Sequence, residues 1–253
     1  MKILIITVAG MATRFSESIG HECLKCLYYE EDITETLLYR MLSMGQQNVD
    51  KYIIVGGFCF NQLEEAIQQE FSEFSDKIVL VENRRFSTYG SGYSLLCGLQ
   101  KAFELGATDI VFAEGDLYLD QETFRQICNL KESAITCNRE AIKASESVAF
   151  YYDCEAKIHY IFDTLHGQLV IHEPFTAIYN SGQVWKFSDV QRLGEICSAM
   201  SDKEEKGTNL VIVQKYFETM KRKDYKLIRF EHWINCNTIE DFKRIAVLEG
   251  KIC

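Results

Sequence analysis

The chain has 253 residues, enough for one large domain or two small ones, and 47% are hydrophobic, which supports a full core and excludes a disordered chain. Its net charge of -10 argues against a nucleic-acid binder, whose footprint is a basic face, yet leaves room for a local basic pocket that takes a small anion. The ten cysteines are scattered, and the close pair Cys23 and Cys26 has no second pair at ligand spacing, so they read as buried thiols of a reducing cytosol.

The predicted elements begin with a compact apolar run, 3–8, that reads as a buried strand. Arg14 interrupts the apolar N-terminus before it can form a signal peptide, and no later run reaches membrane-spanning length. The expectation is a cytoplasmic protein with no membrane partner. After the strand the chain turns at Gly10 and delivers Arg14, and a second cation, Lys25, follows a polar loop. A small-residue loop straight after a strand lets backbone N–H groups approach a phosphate, and two cations can neutralise it. Read singly, Arg14 and Lys25 are ordinary solvated charges.

Further along, 34–46 has helical spacing, 51–55 is a strand, and 61–71 is an amphipathic helix with Asn61 as its cap. A strand at 77–81, a helix at 93–105 and a strand at 109–113 follow. This alternation, with near-continuous apolar strands, predicts a mostly parallel sheet covered on both faces. Ligands of such sheets bind beyond the strands' carboxyl ends, so the loops after Val8, Gly56, Val81 and Ala113 are the candidate site.

The second half reads as short β segments at 148–152, 158–162, 168–171 and 176–180, a small mixed or antiparallel excursion with His166 in a turn. Helices return at 188–200 and 210–221, then a strand at 226–230 and a loop at 233–237. Thr238 reads as an N-cap with Glu240 and Asp241 in the first turn, and Asp120 as the cap of a helix over 121–127. With one proline, Pro174, and no linker or repeat, a single domain over 1–253 is expected.

Glu114-Gly115-Asp116 ends the strand at 109–113 with two carboxylates either side of a glycine. That arrangement suits Mg²⁺, which keeps waters and takes one or two carboxylates plus phosphate oxygens; it is equally an ordinary strand-end turn. Asn235 and Asn237 are neutral amides that orient a metal's waters or a phosphate, or else simply form a turn. Tyr89-Gly90-Ser91-Gly92 is a small-residue turn that lets the backbone approach a base or phosphate, or a helix entry chosen for its backbone angles. There is no GxSxG elbow and no HExxH, and the five histidines show no ligand or triad spacing. Chemistry that needs little covalent help from side chains, such as phosphoryl-type transfer, fits that inventory.

TVAGMATRF with LKCL (24–27), NRRFSTYGSGYSL (83–95), EGDLYLD (114–120) and WINCNTIEDF (233–242) stand in the order and spacing of a known family. The chain resembles the sugar-nucleotide and cytidylyl transferases, the bacterial phosphocholine cytidylyltransferases among them. The resemblance implies a GT-A-like Rossmann variant that couples a nucleoside triphosphate to a phosphate monoester and releases pyrophosphate. It implies a nucleotide-binding half over about 1–120 and an acceptor half over about 121–253. Val8, Ala9, Gly10, Met11, Ala12 and Thr13, with Tyr89, Gly90, Ser91 and Gly92, would hold the nucleotide. Arg14 and Lys25 would be the catalytic cations, and Asp116, Glu114, Asn237 and Asn235 the Mg²⁺ set.

Several positions depart from the family. Ala12 replaces the loop's second glycine, which requires a negative φ there. Leu24, Cys26 and Ile239 stand where prolines would, and Gly90 and Ser91 replace paired asparagines. The stretches 139–146 and 207–213, which would form a choline box, hold no Trp or Tyr, and Asn209 stands in place of an acid. Arg139 and Lys143 fit a neutral or anionic acceptor instead. The sequence therefore reads as a Mg²⁺-dependent cytidylyltransferase joining CTP to a small phosphate monoester other than phosphocholine: a phosphorylated polyol, sugar or amino-acid derivative. By family, its product would serve capsule or other cell-surface polysaccharide synthesis. The alternatives are a sugar-1-phosphate nucleotidyltransferase using another NTP, a GT-A glycosyltransferase, and an inactive nucleotide-binding domain.

Overall fold

The computed structural model describes residues 1–162 and 168–250. Its first half alternates β1 (Lys2–Thr7), α1 (Thr13–Ile19), α2 (Leu37–Gly45), β2 (Lys51–Gly56), α3 (Phe60–Glu70), β3 (Ile78–Glu82), α4 (Ser91–Glu104) and β4 (Asp109–Glu114). β1 lies between β2 and β4 and β3 lies outside β2, all parallel. Side chains alternate across a strand, so each central strand feeds two cores. Ile3 and Ile5 pack with Leu95, Leu96 and Leu99 of α4. Leu4 and Ile6 pack on the other face with Leu38, Met41 and Leu42 of α2 and Leu63 of α3. That double burial explains the continuous apolar runs.

The remaining elements are β5 (Leu117–Leu119), α5 (Gln121–Asn129), β6 (Ser133–Cys137), β7 (Ala149–Asp153), β8 (Ile158–Ile161) and β9 (Phe175–Phe187), then α6 (Val190–Ser198), α7 (Asp202–Glu205), α8 (Leu210–Phe217), β10 (Tyr225–Arg229), β11 (Trp233–Asn235) and α9 (Ile239–Leu248). The main sheet has the order β10-β6-β9-β4-β1-β2-β3. β9 runs against both its neighbours there, and its N-terminal part pairs with β7 to carry the β7–β8 excursion. The α/β class, the mostly parallel sheet and the mixed excursion are as the sequence predicts.

Several local expectations are corrected. α3 starts at Phe60 and is capped by Cys59 in the left-handed region at φ 50, so Asn61 lies inside the first turn. Residues 168–171 form no strand, and His166 lies outside the described residues. β9 continues seven residues past Asn180, through Ser181-Gly182-Gln183, a sequence that looks like a turn. The strand survives because it kinks: Gln183 sits at φ 54 and the register against β6 shifts between Ile135 and Cys137. Beyond the kink, Trp185 stacks on Phe112 at 5.2 Å, and the fully buried Lys186 donates to Asp109 (2.5 Å) and to the Cys128 carbonyl (3.2 Å). The two caps read from sequence form: Asp120 Oδ1 accepts from the Thr123 N–H at 2.8 Å, and Thr238 and Asp241 make a capping box. All nine cysteines of the described residues are free thiols.

Candidate functional site

The carboxyl ends of β1 and β4 open into a cavity of about 240 Å³, lined by Val8, Ala9, Gly10 and Ala12, by Lys25, by Tyr89, Gly90 and Ser91, and by Glu114 and Asp116. Sequence placed each of these at a site. Three others from the same stretches stay outside its lining: Met11 is exposed, Thr13 opens α1, and Gly92 is buried.

The loop leaving β1 is held at its base, where Val8 donates to the Val55 carbonyl at 2.8 Å and the Ala9 carbonyl accepts from Phe58 at 3.2 Å. Beyond that, the N–H groups of Ala9, Gly10, Met11 and Ala12 donate no hydrogen bond among the described residues. A Cβ at Gly10 would meet nothing within 4 Å, so no internal crowding demands a glycine there. Such a run of free donors beside open space is an anion cradle. Ala12 corrects an expectation, because it adopts φ 50 and not a negative φ. A left-handed alanine costs about 1–2 kcal/mol, and packing of Ala12 against the Phe15 cluster offsets part of it.

The charged residues converge from opposite ends of the chain. β11 pairs antiparallel with β5, setting Asn235 opposite Leu117, and the Cys236 N–H donates to the Asp116 carbonyl at 2.8 Å. This pairing lays the 233–237 stretch along the strand-end turn. Lys25 Nζ then donates to Asp116 Oδ2 at 2.9 Å and to Asn237 Oδ1 at 3.3 Å, and Arg14 Nη2 donates to the same Asn237 oxygen at 3.0 Å. Gly115 keeps the turn tight: a Cβ there would lie 2.3 Å from Val8 Cγ1.

Glu114 behaves differently from Asp116. Its Oε1 accepts from Asn209 Nδ2 at 2.6 Å. Burial, and then the charge of Asp116, push its carboxyl up to about 7, against the opposing pull of the Asn209 bond and Lys25. With one oxygen held by Asn209 and its charged form disfavoured by burial, Glu114 is less open to a cation than its neighbour. Asp116 Oδ1, by contrast, is a buried oxygen with no partner; Asn235 Oδ1 is unpartnered too, but Asn235 lines a neighbouring cavity and not this one. A hard oxygen donor left open in this way fits Mg²⁺, with the rest of the shell from water and phosphate. No group of three His, Cys, Asp or Glu side chains converges anywhere among the described residues, which disfavours a softer, fully protein-bound metal.

The Tyr89–Gly92 turn is corrected in its role. Gly90 and Gly92 donate their N–H groups to the Lys206 and Gly207 carbonyls, each at 3.1 Å, so these donors are not offered to a ligand. A Cβ on Gly90 would lie 2.3 Å from the Gly207 oxygen. The glycines thus let the loop before α8 come close and set Asn209, whose own N–H donates to Ser91 Oγ at 3.1 Å. Gly90→Ala should therefore cost about 1–3 kcal/mol by overpacking and lower the melting temperature by several degrees. An unchanged melting curve would show that the loop yields freely.

Sequence reasoning marked Asn209 as a missing acid and missed its contact with Glu114. Just ahead of the apolar run of α8 it reads as a cap, yet its side chain makes no capping bond. Arg139 and Lys143 are also corrected: Arg139 pairs with Glu231 at 2.6 Å and Lys143 with Glu146 at 3.0 Å, both exposed, so neither presents an unneutralised charge to a ligand.

Known structures share this architecture over their full length. The CTP:phosphocholine cytidylyltransferase of Streptococcus pneumoniae is 14% identical, with TM-score 0.68, covering 98% of this chain and 99% of that one. The inositol-1-phosphate CTP transferase of T. maritima is 14% identical, TM-score 0.68, covering 99% and 96%. A putative glucose-1-phosphate thymidylyltransferase of Bacillus anthracis is 14% identical, TM-score 0.72, covering 100% and 97%. A search of curated proteins found no match. The fold is that of the nucleotidyltransferases, and a family model described as a domain of unknown function, DUF6564, matches residues 21–249, so the chain belongs to that family.

Proposed function

We propose that the chain is a cytidylyltransferase that transfers CMP from CTP to a small phosphate monoester and releases pyrophosphate. The observation that carries this reading is Lys25 bridging Asp116 and Asn237, with Arg14 on the same asparagine, beside a loop of free N–H donors. In the reaction an acceptor phosphate oxygen bonds to the α-phosphorus as the bond to the bridging oxygen of pyrophosphate breaks. The nucleophile is already an anion, so no strong general base is required. Ala9, Gly10, Met11 and Ala12 would hold the triphosphate by their N–H groups, and Arg14 and Lys25 would offset the charge that builds on it. Asp116 would hold Mg²⁺, which when bound supplies further charge neutralisation. Two of the three neighbours above are named for CTP, which favours that nucleotide. On this reading the chain is one cytoplasmic domain. Among the described residues no helix is long and apolar enough to cross a membrane.

Pyrophosphate release, screened with four NTPs against a panel of phosphate monoesters, tests the proposal. CTP with a phosphate monoester whose organic part is neutral or anionic should turn over, and silence across the panel would favour an inactive nucleotide-binding domain. Phosphocholine should be a poor acceptor. Asn209 is occupied by Glu114, and 139–146 and 207–213 contribute no Trp or Tyr. Lost cation–π contacts of about 2 kcal/mol predict kcat/KM roughly thirtyfold below the preferred acceptor. Phosphocholine winning that comparison would sink the acceptor argument.

A further inference from the structure

A second cavity, of about 410 Å³, lies beside the first, beyond the Lys25–Asn237 hydrogen bond. Its wall includes Asn180 and Gln183 of β9, Asn235 at the end of β11, and Arg14. Asn180 is 6% exposed, and its Nδ2 faces the Glu140 and Ala141 carbonyls and Ser147 Oγ at 3.3–3.4 Å. Those acceptors fix the amide's orientation, and they leave Oδ1 buried and bonded to nothing. Asn235 Oδ1 is in the same condition. Gln183 is 2% exposed and holds the left-handed φ of 54 at the kink of β9. Its carboxamide makes no hydrogen bond among the described residues. A strained non-glycine residue that presents an unused amide to a cavity points to a ligand.

The charges narrow the ligand further. Lys143 is paired with Glu146 and Arg244 with Glu140, which leaves Arg14, bonded to the neutral Asn237 and to no carboxylate among the described residues. The cavity's carboxylates are engaged as well, Glu140 and Glu146 in those pairs and Asp241 in the cap of α9, so it offers one cation free of a carboxylate, at the Lys25 end, with the amides of Asn180, Gln183 and Asn235 and the ring of Trp233 along its wall. Buried carbonyl oxygens want donors. Hydroxyl groups supply them, whereas a trimethylammonium head supplies none.

We propose that this cavity seats the acceptor and that the acceptor is a phosphorylated polyol. Its phosphate lies toward Arg14 and Lys25, its hydroxyls donate to Asn180 and Asn235, and Gln183 fixes its orientation. This rests on the nucleotidyltransferase reading of the first cavity.

The test is calorimetric binding to the full chain of sorbitol 6-phosphate, phosphocholine and inorganic phosphate, with wild type, Gln183→Gly and Gln183→Met. Glycine suits the backbone at position 183 and methionine keeps the side-chain length, so at least one variant stays folded. Sorbitol 6-phosphate should bind wild type at least about tenfold tighter than the other two probes, and both variants should lose about tenfold, one hydrogen bond's worth, with CTP affinity unchanged. No binding of the polyol phosphate, binding no tighter than inorganic phosphate, or unchanged affinity in both variants would overturn the inference. The nucleotidyltransferase reading fails separately, if a polyol phosphate that binds yields no pyrophosphate with any NTP.

Discussion

Asp116→Asn should abolish metal-dependent turnover, by about a thousandfold or more, and leave the melting temperature within a few degrees of wild type. The amide has the carboxylate's shape and can still accept the Lys25 bond that Oδ2 now takes at 2.9 Å. The substitution removes one negative charge, the one whose second oxygen is buried with no partner. A second readout is independent of activity. The Asp116 charge is one of the causes that raise Glu114, so neutralising it should move the Glu114 carboxyl down toward its ordinary range in an NMR titration. Near wild-type turnover in Asp116→Asn would remove the metal assignment.

Alanine at either cation should cut kcat/KM by about a hundredfold to a thousandfold, the range for losing one charge-stabilising contact worth about 2.7–4 kcal/mol. The two variants should separate in stability. Arg14 is exposed and its partner is a neutral amide, so Arg14→Ala should leave the melting temperature nearly unmoved. Lys25 is half-buried and paired with Asp116, so Lys25→Ala strands a carboxylate beside Glu114 and should melt several degrees lower. Kinetics and thermal denaturation on the same preparations check both. A large melting shift with modest rate loss in Arg14→Ala would assign that residue a structural role.

The strand ends that build the site were legible because buried parallel strands advertise themselves as short apolar runs, and function gathers at their carboxyl ends. The residues at 8–12, 25 and 114–116 were found in this way, and each of the motif matches placed a residue at or beside the first cavity. What escaped is non-local. β5 and β11 have three residues each and exist only as a pair. β6 is buried at all five positions, yet Ser133 and Thr136 break the apolar run that marks the other buried strands. Ser181-Gly182-Gln183 has turn chemistry, and only its neighbours on both sides hold it in a sheet. Asn209 reaches Glu114 across 95 positions, a contact that no local pattern encodes. Gly90 and Gly92 are legible as a close backbone approach, but the backbone they admit belongs to the protein itself.

The placement of β9 has a kinetic consequence. β4 pairs with β1 on one side and with Val184–Phe187 on the other, so one edge of the parallel sheet stays open until that segment is available. During synthesis at about 5–20 residues per second, the 73 residues between Glu114 and Phe187 take roughly 4–15 s to emerge. For that interval the chain displays Ile110, Val111 and Phe112 on an unpaired edge, the arrangement that invites strand addition from a neighbouring chain. Lys186, whose buried ammonium meets Asp109 at the start of β4, arrives with the segment that closes this edge. Closure of the sheet therefore waits on a segment far along the chain, a non-local pairing of the kind that slows folding.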